Sequence, residues 1–311
     1  MADEGAFLDL KPPHCSRDFA RVAVLPVPYE ATVSYKGGTA LGPAGLIEAS
    51  RQVELYDRRL DAEPALTYGV RTLPALPLTP GEETKAMLER LAGRVEELAR
   101  DGRFPLVLGG EHSITPGVFA GLALAKPGQD FDIVHLDAHA DLRDSYEGNP
   151  HSHACAARRL LEHPACRKIW QLGIRSFCAE EAAFSRARPN RLRRWLAEEL
   201  APDRNGSWRR ELAEGLAERR VFLTFDVDAL DPAVAPGTGT PEPDGLSWRT
   251  VLEIGELVAG AAEEVIGMDA VEAAPRPGLH YSEFAVVKLL YLFLNSFLYR
   301  PAGRDGAGPE G

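Results

Sequence analysis

Cysteine is scarce in this chain and poorly placed for a scaffold. Cys15, Cys155, Cys166 and Cys178 have neither the paired spacing of a zinc site nor the density of a disulfide framework. Reduced thiols are the simpler expectation. Positive charge is also short: the formal net charge is −11, which argues against non-specific binding to nucleic acid, because that needs a basic face. No apolar run reads as long enough to cross a bilayer, and Met1-Ala2-Asp3-Glu4-Gly5 lacks the basic and apolar regions of a signal peptide. These absences lead us to expect a cytoplasmic protein with no nucleic-acid or membrane partner.

What is present is an alternation of strand and helix signals. Apolar runs at Val22–Pro26, Phe104–Leu108, Ile133–Leu136, Lys168–Leu172, Val221–Phe225 and Val265–Met268 read as strands. Between them, helices are expected near residues 44–52, 82–100, 208–218 and 249–262, and one or more over 179–200. A final, strongly apolar helix is expected over about 282–298. Such alternation implies an α/β fold, a mainly parallel sheet with helices on both faces. No repeat or linker divides the 311 residues, so the reading is one domain over 1–311. It carries a loosely ordered arm at 1–20 and a glycine- and proline-rich, disordered tail at 301–311.

Three of the strands run directly into candidate metal ligands. Phe104–Leu108 leads to Gly109-Gly110-Glu111-His112-Ser113, and Ile133–Leu136 to Asp137-Ala138-His139-Ala140-Asp141. Val221–Phe225 ends in Asp226-Val227-Asp228. In open α/β sheets, ligands collect beyond the carboxyl ends of the strands, so these widely separated residues can converge. An extended chain would hold Asp137 and Asp141 about 13 Å apart, so the backbone must coil there if both are to serve one cluster. Four carboxylates held close would repel one another and take up protons, unless divalent cations cancel the charge. A carboxylate-rich set with some imidazole suits Mn²⁺, although other first-row metals are admissible. Asp231, before Pro232, reads as a turn residue, and His135 as a hydrogen-bonded core histidine. His14, His163 and His280 have no constellation around them.

These three motifs, with Val271-Glu272-Ala273-Ala274-Pro275 further on, resemble the ureohydrolase family that includes arginase and agmatinase, agmatinase most closely. The resemblance implies an arginase-like three-layer α/β/α fold, two Mn²⁺ ions and a homo-oligomer, trimer or hexamer. It implies that Asp137 and Asp226 bridge the ions, with His112 and Asp141 completing one shell and His139 and Asp228 the other. Asp141 would also carry a proton to the leaving nitrogen. His153 matches the family's proton-transfer histidine, with His151 as a rival two residues away, and Glu272 matches its guanidinium-binding carboxylate.

A guanidinium carbon is a poor target for neutral water, and metals that lower the pKa of bound water address that difficulty. Substrate choice rests on Glu147-Gly148-Asn149, which stands where arginases carry Ser-Gly-Asn to hold a carboxylate. Asp144 and Glu147 would favour a cationic tail over a carboxylate, and so a small cationic guanidino substrate, although Arg143 could meet a carboxylate instead. Agmatine, giving putrescine and urea in polyamine biosynthesis, is the first expectation. The alternatives are N1-aminopropylagmatine, a guanidino acid, or a non-catalytic regulatory relative. A single-zinc deacetylase on a related fold is disfavoured by the full two-metal set.

Overall fold

The computed structural model describes residues 5–200 and 207–300. Eight strands make one sheet: β1 (Val22–Val27), β2 (Val70–Thr72), β3 (Phe104–Gly109), β4 (Phe131–Leu136), β5 (Cys166–Ile174), β6 (Leu192–Leu196), β7 (Arg220–Asp226) and β8 (Glu264–Val271). Their order is β2-β1-β3-β8-β7-β4-β5-β6, and the pairings are all parallel.

Side chains alternate across each strand, and β4 shows how this builds two cores. Phe131 and Ile133 point to one face, where Met87, Leu91, Val118 and Leu160 come from helices Thr84–Arg100, Thr115–Ala125 and Ala156–Glu162. Val134 and Leu136 point to the other, where helices Gly42–Ser50, Trp248–Ala261 and Tyr281–Leu298 supply Leu46, Val251 and Phe293. The fold is therefore the expected three-layer α/β/α arrangement.

Three expectations need correction. The segment 179–200 is not all helix: Leu192-Arg193-Arg194-Trp195-Leu196 forms β6, the edge strand. It pairs with β5 on one side only, and the Trp195 ring stacks on Trp170 with centroids 6.0 Å apart. The described part of the supposed loose arm is packed, because Phe7, Leu8 and Leu10 are buried. The Phe7 and Leu8 amides donate to Thr72 Oγ1 and Ser50 Oγ, at 2.8 and 2.9 Å. Residues 1–4 and the supposed tail at 301–311 lie outside the described residues. Finally, helix Tyr281–Leu298 does have the length and hydropathy of a membrane span, but 72% of it is buried inside the fold, where it serves as a core helix.

Candidate functional site

Strands β3, β8, β7 and β4 are neighbours in the sheet, and their carboxyl ends carry His112, Glu272, Asp226 with Asp228, and Asp137 to Asp141. The coil required after β4 is present: Asp141 sits in the left-handed region at φ 52°, a conformation rare for a residue with a side chain. Glu272 does the same after β8 at φ 63°. Its amide donates to the Gly110 carbonyl at 2.7 Å, and its Oε1 accepts from the His112 amide at 2.7 Å. Such strained positions can persist where geometry serves function.

Asp137 lies at the centre and faces three imidazoles, those of His112, His135 and His139. Its Oδ2 is 3.1 Å from His112 Nδ1, and its Oδ1 is 3.6 Å from His139 Nδ1. Asp141 Oδ2 and Asp226 Oδ2 lie 3.1 and 3.3 Å from the same His112 nitrogen. Asp228 Oδ2 is 3.0 Å from His139 Nδ1. All six expected ligands are therefore brought together in two lobes that share Asp137. These side chains are held from behind as well: His112 Nε2 is 3.0 Å from Thr224 Oγ1, and the Ala138 amide donates to Asp228 Oδ1 at 3.0 Å. His135 is buried as expected, with Nε2 2.8 Å from Asp137 Oδ2 and Nδ1 3.0 Å from the Gln171 side chain. It also stands within ligating reach of the first lobe.

Charge decides what this arrangement can hold. Burial works against a charged His112, but Asp137, Asp141 and Asp226 outweigh it and raise its pKa well above the usual value. Burial, with Asp228 and Asp137 close by, likewise raises Asp226 well above the carboxylate range. Burial and Asp137 raise Asp141, and burial above all, with Glu111 nearby, pushes Glu272 up to about 8. The chain's own groups meet the crowding by retaining protons, and divalent cations would displace them. His112 Nδ1 supports that fit: it is buried among three carboxylate oxygens, yet makes no properly directed hydrogen bond with any of them.

The cluster opens into a cavity of about 330 Å³ whose lining includes His139, Asp141, Arg143, Tyr146, His153 and Glu272. His153 lies on this wall. His151 does not, and its Nδ1 is buried without a partner. Asp144 and Glu147 do not line the cavity either, and Asp144 pairs with Arg158 and Arg159 at 3.3 and 2.9 Å. The expectation that these two acids would meet a cationic tail is therefore corrected. Asp231 is a turn residue, its two oxygens accepting from the Ala233 and Gly245 amides. Sequence reasoning passed over Arg175, whose guanidinium donates to the carbonyls of Asp228 and Glu242 at 2.7 and 2.8 Å and so pins the loop after β7. It also passed over Glu111 and Thr32, which sit behind His153.

Fold and site together define an α/β protein with a buried His/Asp cluster, beyond the carboxyl ends of its central strands, that could hold metal ions. The comparisons with known proteins agree. The chain belongs to the arginase family, whose model matches residues 20–294. It is 38% identical to the N(1)-aminopropylagmatine ureohydrolase of Synechocystis sp., over 88% of this chain and 87% of that protein. It is 36% identical to the agmatinase of Bacillus cereus, over 84% and 86%. The agmatine ureohydrolase of Thermoplasma volcanium superposes with a TM-score of 0.79 at 30% identity, over 91% of this chain and 92% of that one.

Proposed function

We propose that this chain is a binuclear-metal ureohydrolase that cleaves a small guanidino compound to urea and an amine, with agmatine as first choice and N1-aminopropylagmatine as second. The observation that carries this reading is the two-lobed cluster around Asp137, opening onto a cavity with Glu272 and His153 on its wall. His112 and Asp141 would hold one ion and His139 and Asp228 the other, with Asp137 and Asp226 between them; the donor set suits two Mn²⁺. Bound divalent ions make water a nucleophile near neutral pH. Glu272 binds the guanidinium: its Oε1 is fixed by the His112 amide, and a cation beside it returns its carboxyl to the ionised form. Asp141 takes the proton from the attacking water and passes it toward the leaving nitrogen, and His153 exchanges the proton at the cavity wall.

With Asp144 and Glu147 away from the cavity, the preference for an amine tail rests on relatives named for agmatine and aminopropylagmatine. We read the whole chain as one domain acting in putrescine formation in the cytoplasm, as a trimer or hexamer. Metal analysis with a urea-release assay on agmatine, N1-aminopropylagmatine, arginine and guanidinobutyrate tests this. Release from one of the first two supports the reading, and bound metal without turnover on any of them would instead indicate a regulatory relative.

A further inference from the structure

Behind the cavity wall, Glu111 is fully buried and collects four donors. Its Oε2 accepts from the Ala31 and Thr32 amides at 2.7 and 2.6 Å. Its Oε1 accepts from the Thr32 and Ser113 hydroxyls at 2.8 and 2.5 Å. Four donors on two oxygens match an ionised carboxylate, which can only accept. Thr32 Oγ1 has two further neighbours, both on His153: the amide nitrogen at 3.0 Å and ring Nδ1 at 3.0 Å. A hydroxyl has one proton to give, and a carboxylate oxygen beside it leaves that proton no other place. Thr32 Oγ1 must therefore accept from His153 Nδ1.

We propose that Glu111 and Thr32 are positioning residues that fix the tautomer of His153, holding the proton on Nδ1 and leaving Nε2 bare toward the cavity. The Ser152 hydroxyl, 3.3 Å from Nδ1, adds a second, weaker contact on the same side. Tyr146 packs edge-on against the ring with centroids 5.8 Å apart, which limits its swing. The consequence rests on the hydrolytic reading of the site: Nε2 takes up a proton and returns it, while Nδ1–H never leaves Thr32. Because Glu111 precedes His112 in the chain and Thr32 lies on the loop after β1, this contact also ties that loop to the metal-ligand turn.

Nitrogen-15 spectra of the histidine-labelled protein, loaded with Zn²⁺ as a diamagnetic cation, read the tautomer directly. The His153 signals are identified by their loss in His153→Gln. The neutral wild-type ring should carry its proton on Nδ1. Thr32→Val should mix the two tautomers and lower kcat roughly 10- to 100-fold with KM within about threefold, and Thr32→Ser should restore both readouts. A wild-type ring protonated on Nε2, or a tautomer unmoved by Thr32→Val, overturns the proposal. If the tautomer is as stated and Thr32→Val mixes it, but His153→Gln turns over normally, the positioning stands and the catalytic part given to His153 falls.

Discussion

At the start of β4, Asp132 is fully buried and the chain itself meets its charge. Arg167 grips both of its oxygens, Nε at 2.6 Å from Oδ1 and Nη2 on Oδ2. Trp170 Nε1 donates to it at 2.7 Å, and Arg219 stands 3.6 Å away. Just past the other end of the same strand, Asp137 is equally buried. Its ion-pair partners among the described residues are all histidines, and those of Asp141, Asp226 and Asp228 are histidines as well. Among the described residues, no lysine or arginine forms an ion pair with these four carboxylates. The difference separates structure from function. At Asp132 a guanidinium neutralises the buried charge; around Asp137 that charge is left for something the chain must acquire.

Asp141→Asn strikes the open end hardest. The variant should lose at least about 10³-fold in urea release, about 4 kcal/mol of transition-state stabilisation, while keeping its secondary structure. Circular dichroism and a urea assay on the same sample check this. Turnover within tenfold of wild type would mean that the charge left open at this end of β4 has no catalytic purpose.

Asp132→Asn inverts the outcome. It leaves Arg167 without its carboxylate, and breaking a fully buried pair costs about 3–5 kcal/mol. The Arg167 side chain is 35% exposed, so water takes over part of the interaction and we expect about 2 kcal/mol, read as a lower Tm. Activity per folded molecule should stay within about twofold. A loss of turnover without a loss of stability would erase the distinction between the two ends.

What the sequence shows and hides follows the same division. His112, Asp137, His139, Asp141, Asp226 and Asp228 were legible because polar residues that end buried apolar runs have little structural reason to be there. The central strands were legible for the same reason in reverse, being apolar on both faces. β6 was hidden because an edge strand needs only one apolar face, and Leu192-Arg193-Arg194-Trp195-Leu196 reads equally well as helix. The packed segment from residue 5 was hidden because Phe7, Leu8 and Leu10 are too few to show a period. Thr32 and Glu111 carry no signal at all, because their contact spans 79 residues and depends on hydrogen-bond direction. The misplaced expectation for Asp144 has a similar cause: nearness in sequence to Asp141 did not fix which way its side chain would turn.

Per proton and per pH unit the effect of pH is the smallest of these, and it sharpens the contrast because Asp132 needs no ion. In metal-stripped protein, His112 and His139 are raised, so their stabilisation is complete below about 6.5 and is lost as pH climbs toward their folded values. Asp226 and Glu272 are raised as well, Glu272 to about 8. The native state therefore holds more protons than the unfolded chain between about pH 5 and 8, and its stability falls as pH rises there. Asp137 is lowered by His135, His112 and His139 against the opposing effect of burial, but its window lies below 3.8 and leaves this range untouched. Each excess proton costs about 1.4 kcal/mol per pH unit, roughly 2 °C in Tm. Metal binding expels these protons, so the metal-loaded form escapes the penalty. The gap in Tm between loaded and stripped protein should widen steadily from pH 5 to pH 8 in a thermal-shift series with added Mn²⁺. A gap that stays constant or narrows would show that the carboxylates beyond β4 are already balanced without a cation, as Asp132 is.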